Sequence, residues 1–152
     1  DDIDGEAAED QSGYSVSLSS DGSTVAIGAP FNAGNGFYSG HVRVYKWVSG
    51  AWTKQGDDID GEAAGDRSGE SVSLSSDGST VAIGAPFNDG ISLSNVGHVR
   101  VYKLVSGTWT KQGNDIDGEA AGAAPCIPGR RPLSSWFTAL RIRTWPRNPP
   151  FR

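Results

Sequence analysis

The chain has 152 residues, a formal net charge of −5 and one cysteine, Cys126, which by itself supports neither a disulfide framework nor a thiolate zinc site. Its charge is uneven: residues 1–122 carry −11 and include every acid, whereas residues 123–152 carry six arginines and no acid. The acidic part lacks the clustered Lys and Arg that phosphate recognition needs, which argues against nucleic acid, and no apolar run approaches the about 20 residues of a membrane-spanning helix.

After an acidic opening, Asp2-Ile3-Asp4-Gly5-Glu6, the stretch Ser15 to Leu18 alternates polar and apolar residues, and Thr24 to Ile27 does so again. Both read as strands. Asp21-Gly22 between them tolerates positive φ and predicts a hairpin with a type I′ turn. Val16, Leu18, Val25 and Ile27 would share one face, which must be buried, because a lone hairpin is marginal in water. Gly28-Ala29-Pro30 ends the second strand, since proline has no N–H for a ladder. A loop from Phe31 to Ser39 follows, then a third alternating run, Gly40 to Trp47, a Ser49-Gly50 turn, and a fourth run, Ala51 to Gln55.

At Asp57 the chain begins again. Ser15–Pro30 returns letter for letter at Ser71–Pro86, and residues 1–56 agree with residues 57–113 at 45 of 56 positions, with one residue inserted. A third copy starts at Asn114 and stops matching after Gly122. A period of 56 to 57 residues signals a solenoid, propeller or array. Four antiparallel strands in tandem repetition are propeller blades, whose radial stacking buries both sheet faces.

The expected fold is therefore all-β: an incomplete β-propeller with blade 1 in residues 1–56, blade 2 in 57–113 and the start of a third repeat in 114–122. Residues 123–152 form a Pro- and Arg-rich tail outside the repeat, read as a basic arm or as a frameshifted remnant of a third blade. Propellers use four to eight blades, so 152 residues cannot close one. The chain is expected to be a fragment that needs further blades or self-association to cover its open faces.

The ordered set Gly13-Tyr14-Ser15-Val16, Asp21-Gly22, Val25-Ala26-Ile27-Gly28-Ala29-Pro30 and Gly40-His41-Val42-Arg43-Val44-Tyr45, repeated from Gly69 to Tyr102, resembles the FG-GAP repeat of integrin-α-type propellers. The resemblance implies a non-catalytic recognition or adhesion module, extracellular or at the cell surface. The alternatives are an accessory segment of a larger secreted enzyme or a truncated gene remnant. Two departures are visible. Ser12-Gly13 and Ser68-Gly69 replace the family's opening Phe-Gly, and a short Ser-Asp-Gly-Ser turn replaces its calcium loop of closely spaced aspartates.

Candidate sites lie in the loops. The second loop of each repeat diverges most, and loops on a rigid scaffold commonly carry binding residues. Asn32, Asn35, Phe37, Tyr38, Asn88 and Asp89 are the candidate ligand-binding residues, with Phe37-Tyr38 suited to stacking on a sugar or anchoring a protein partner. The linker acids Asp58, Asp60, Glu62 and Asp66, matched in the first copy by Asp2, Asp4, Glu6 and Asp10, suggest an oxygen-ligand Ca²⁺ site. His41 and His98 have no second His or Cys nearby in sequence and read as structural. The serines follow strand alternation and offer no nucleophile-elbow pattern, so no enzymatic centre is expected.

Overall fold

A computed structural model describes residues 2–89 and 95–119. The loop residues 90–94, the end of the third repeat and the tail with Cys126 lie outside these described residues. Within them the chain is all-β, without helix, and forms two antiparallel sheets that do not close on themselves. No helix among the described residues is long and apolar enough to cross a membrane.

Blade 1 contains β1 (Ser15–Leu18), β2 (Thr24–Ala29), β3 (His41–Val48) and β4 (Ala51–Lys54) in sequential order. The next short strand, β5 (Ile59–Asp60), belongs to repeat 2 by sequence but pairs with His41 and Val42 of β3. It extends the edge begun by β4, which pairs with the other half of β3. Blade 2 is built the same way from β6 (Ser71–Leu74), β7 (Thr80–Ala85), β8 (His98–Val105) and β9 (Thr108–Lys111), with β10 (Ile116–Asp117) from repeat 3 completing its edge. Each linker thus supplies the last strand of the blade before it.

The β1–β2 turn differs from the type I′ expectation. Gly22 has positive φ and Asp21 does not. The reason is the Asp21 side chain, which accepts hydrogen bonds from the Ser19 hydroxyl (2.6 Å) and from the Ser23 amide and hydroxyl. Such an Asx-type arrangement holds a wider turn in which only the glycine needs the left-handed conformation. Those donors hold the Asp21 carboxyl near a pKa of about 2, and Asp77 is held likewise in blade 2.

Alternation divides each sheet into two faces. The front of blade 1 carries Val16, Leu18, Val25, Ile27 and Tyr45, and its back carries Ala26, Gly28, Val42 and Val44. The core is the back of blade 1, with Ile59, laid on the front of blade 2, where Val81 and Ile83 are joined by Val72, Leu74, Tyr102 and Trp109. Each apolar side chain fully buried here stabilises the stack by about 1.5–3 kcal/mol. Hydrogen bonds cross the joint: the Ser15 hydroxyl donates to the Gly69 carbonyl (2.7 Å), the Leu74 amide to the Ser17 hydroxyl (3.0 Å), and Trp109 Nε1 to the Gln55 carbonyl (2.7 Å).

The expectation of one buried face holds for Val25 and Ile27, which are buried, and fails for the β1 residues for a simple geometric reason. Val16 and Leu18 are 63% and 58% exposed, although their counterparts Val72 and Leu74 pack into the core. Among the described residues nothing lies in front of blade 1 as blade 1 lies in front of blade 2.

Gly28 marks the tightest approach, because a Cβ there would run into the backbone carbonyl of Gly69 across the joint, whereas one at Gly84 would meet only the Ser71 side chain. We therefore expect Gly28→Ala to lower the thermal midpoint by several degrees while Gly84→Ala shifts it much less. Paired thermal melts of the two variants provide the check.

Candidate functional site

Two side-chain assemblies lie where the second loop and the linker meet. The loop is tied to the linker by backbone: the Gly65 amide donates to the Phe37 carbonyl, the Arg67 amide to Tyr38 and the Ser68 amide to Ser39. Gly40 and Ser68 form a parallel bridge. These bonds set the side chains of both segments along one rim of the stack.

The first assembly is a charged knot, present once per blade. Buried His41 opens β3, with its Nδ1 3.9 Å from Glu6 Oε2. The other Glu6 oxygen is 3.4 Å from Arg43, and Asp58 is 2.6 Å from Lys54 Nζ. The potential ligand atoms of Glu6, His41 and Asp58 lie within 4.8 Å of one another, and Glu62, His98 and Asp115 repeat the arrangement. Imidazole with two carboxylates is a zinc-type donor set. Here, however, each carboxylate is already matched by a cation, Arg43 and Lys54 in blade 1 and Arg100 and Lys111 in blade 2. Arg43 also donates to the Asp4 carbonyl (2.8 Å) and Arg100 to the Asp60 carbonyl (3.0 Å). The knot is a charge-balanced clasp that fastens each blade to the linker before it, through Glu6 or Glu62, and to the linker after it, through Asp58 or Asp115.

The imidazoles are neutral within it. Burial pushes the pKa of His41 down, and Arg43 adds to this, against the upward pull of Asp58 and Glu6. Burial, followed by Arg100, likewise lowers His98. The close approach of His41 to Glu6 is therefore not an ion pair at neutral pH.

The second assembly is aromatic. Phe37 and Tyr38 stack with ring centroids 3.7 Å apart. Tyr38 meets Phe31 edge-on at 5.0 Å, and Phe31 meets Tyr14 edge-on at 6.4 Å. The Arg67 guanidinium lies 5.0 Å from the Phe31 ring centre and 4.4 Å from that of Phe87, linking the rims of the two blades. Phe37 is 68% exposed, and Tyr14 and Phe87 are also open to solvent.

The candidate residues from sequence separate into those on this surface and those beneath it. Phe37 and Tyr38 form its outer end. Asn32 and Asn88 are buried and donate from Nδ2 to Asp10 (2.8 Å) and Asp66 (2.9 Å), so they brace the loops from inside. Asn35 ties its loop to the Gly61 and Glu62 carbonyls, and Asp89 accepts from the Asn95 amide. The linker acids take separate partners: Asp58 joins the blade 1 knot, Glu62 the blade 2 knot, and Asp66 the Asn88 brace, while the Asp60 side chain is exposed. Neither cluster of metal-ligating atoms among the described residues unites these four acids.

Tyr14, Phe31, Arg67 and Phe87 were missed by sequence reasoning. Two signals pointed to them: a Phe follows the Gly-Ala-Pro in both copies, and Arg67 replaces Gln11. No protein-family model and no curated protein matches this chain.

Both histidines have folded-state pKa values below their ordinary value of 6.5. Below that pH the unfolded chain binds the extra protons, so the stability they contribute is complete above about pH 6.5 and falls as pH drops through the lower folded values. Denaturant melts from pH 8 to 5 should show this loss, and His41→Gln with His98→Gln should flatten it. Asp66→Ala strands the buried Asn88 amide and should cost about 1–3 kcal/mol, measurable by urea unfolding.

Proposed function

We propose that the protein is a non-catalytic recognition module of FG-GAP-like propeller blades, acting outside the cell or at its surface, and that its ligand stacks on the aromatic rim. The observation that carries this reading is the continuous row Tyr14, Phe31, Tyr38 and Phe37, ending in an exposed ring. An exposed row of aromatic residues on a rigid scaffold gives broad apolar contact at low entropic cost, with a polar handle at each tyrosine. The loop that carries Phe37 and Tyr38 is where the two repeats differ most.

The ligand class best matched is carbohydrate, because a sugar ring presents a flat C–H face to an aromatic ring and hydroxyls to its edges. A protein partner inserting an apolar side chain is the other outcome. Calorimetric titration of the full chain with a panel of soluble oligosaccharides tests the choice. Binding should weaken about tenfold in Phe37→Ala, a change of about 1.4 kcal/mol. Binding unaffected by Phe37→Ala, or no oligosaccharide binding at all, would sink the carbohydrate reading.

A further inference from the structure

The two blades have nearly the same sequence, so the joint between them specifies what fits each outer face. The front of blade 1 carries Val16, Leu18, Val25 and Ile27, the same residues that blade 2 presents to blade 1 as Val72, Leu74, Val81 and Ile83. The back of blade 2 carries Ala82, Val99, Val101 and Ile116, matching the Ala26, Val42, Val44 and Ile59 that blade 1 buries in the core. Val25 and Ile27 are buried in both copies, but Val16, Leu18 and the four residues at the back of blade 2 are more exposed than their counterparts at the joint, with Ile116 62% open.

Two cavities sharpen the match. One, of about 270 Å³, is lined on blade 1 by Ile3, Tyr45, Gly50 and Trp52. At the same position in blade 2 the space is taken by Gln55 and Gly56 of blade 1: Trp109 Nε1 holds the Gln55 carbonyl, and Gly56 lies against Gly107 and the Trp109 ring. The equivalents of Gln55 and Gly56 at the free end of blade 2 are Gln112 and Gly113. The other cavity, of about 190 Å³, lies at the back of blade 2 between Gly97, His98, Val99 and Ile116. In blade 1 that place is taken by Ser68, bridged to Gly40, and by Gly69, packed on His41 and Val42. Their equivalents at the free end of blade 1 are Ser12 and Gly13.

We propose that copies of this chain associate head to tail, the front of blade 1 in one copy stacking on the back of blade 2 in another, with Gln112-Gly113 and Ser12-Gly13 entering these two cavities. Trp52 Nε1 of the incoming copy then donates to the Gln112 carbonyl, and its Leu18 and Val16 bury as Leu74 and Val72 do within the chain. This is a heterologous contact, so its repetition gives a closed ring or an open filament. Two to four copies would supply the four to eight blades of a closed propeller.

The joint has one internal conflict. Inside the chain a single linker both completes blade 1 with Ile59–Asp60 and clasps Arg100 of blade 2 with Glu62. Between copies, two identical segments compete for that place: Asp115-Ile116-Asp117-Gly118 of one and Asp2-Ile3-Asp4-Gly5 of the other. One must withdraw, and the two-residue pairing of β10 with β8 makes that a small rearrangement.

Sedimentation velocity of the full chain over a wide concentration range tests the proposal. The wild type should grow with concentration beyond a monomer. Val16→Asp blocks the front of blade 1, and Ala82→Arg blocks the back of blade 2, where the equivalent Ala26 has no free space. Leu18→Glu is a second front variant, and like Val16 it lies at an exposed site in the single chain, so far-UV circular dichroism should be unchanged. Each variant alone should be monomeric, with association weakened by at least about 100-fold because a charge would be buried unpaired. An equimolar mixture of Val16→Asp with Ala82→Arg keeps one good face on each partner and should give a 1:1 dimer and nothing larger. A monomeric wild type, single variants that still assemble, or a mixture that stays monomeric would overturn the proposal.

Discussion

The architecture depends on one contact, the back of the first sheet lying on the front of the second. Each sheet alone would show water two apolar faces, and a few strands with no buried face do not hold together. Stacking buries Val42, Val44, Val81 and Ile83 at once. The approach is close enough for backbone and hydroxyl hydrogen bonds to cross between β1 and β6, and Gly28 is where it leaves no room for a side chain. Position relative to this joint sets the exposure of Val16 and Leu18 against that of Val72 and Leu74, which is why identical sequences have unlike exposures in the two blades.

The linker is the second constraint, and it serves two blades at once. Its first residues finish the edge of the sheet just completed, with Ile59 in the core, and its later residues grip the next sheet through Glu62 and Arg100. A chain that alternates partners every few residues cannot gather its acids around one ion. Asp58, Glu62 and Asp66 accordingly face three different groups of side chains, each with its own cation or amide. The histidines are the counterpart in the sheet: buried and neutral, they fill the space where two carboxylates are held by Arg and Lys.

On the rim the same scaffolding presents aromatic residues. Phe31 and Phe87 sit at equal positions in the two loops, and Arg67 lies between them as a cationic spacer. The part of this surface legible in the sequence was its most divergent and most hydrophobic point, Phe37-Tyr38. The rest was hidden because Tyr14, Phe31 and Arg67 come from three separate segments, and only the loop-to-linker hydrogen bonds bring those together. Asn32 and Asn88 show the converse: polar loop residues that looked available are consumed by Asp10 and Asp66 below the surface.

The sequence by itself determined four strands of each blade, their antiparallel order and the repeat, because alternation, turn glycines and a period of 56 to 57 residues are local or one-dimensional properties. The short fifth strand that each linker adds was not legible. It also foresaw that sheets of this kind must stack, since their apolar faces cannot stay in water. What only the tertiary structure decided was which blade a linker residue belongs to, which of two identical valines is buried, and which charges meet. Those outcomes depend on what lies across the joint, and a residue carries no local mark of the neighbour that a different segment of the chain will place against it.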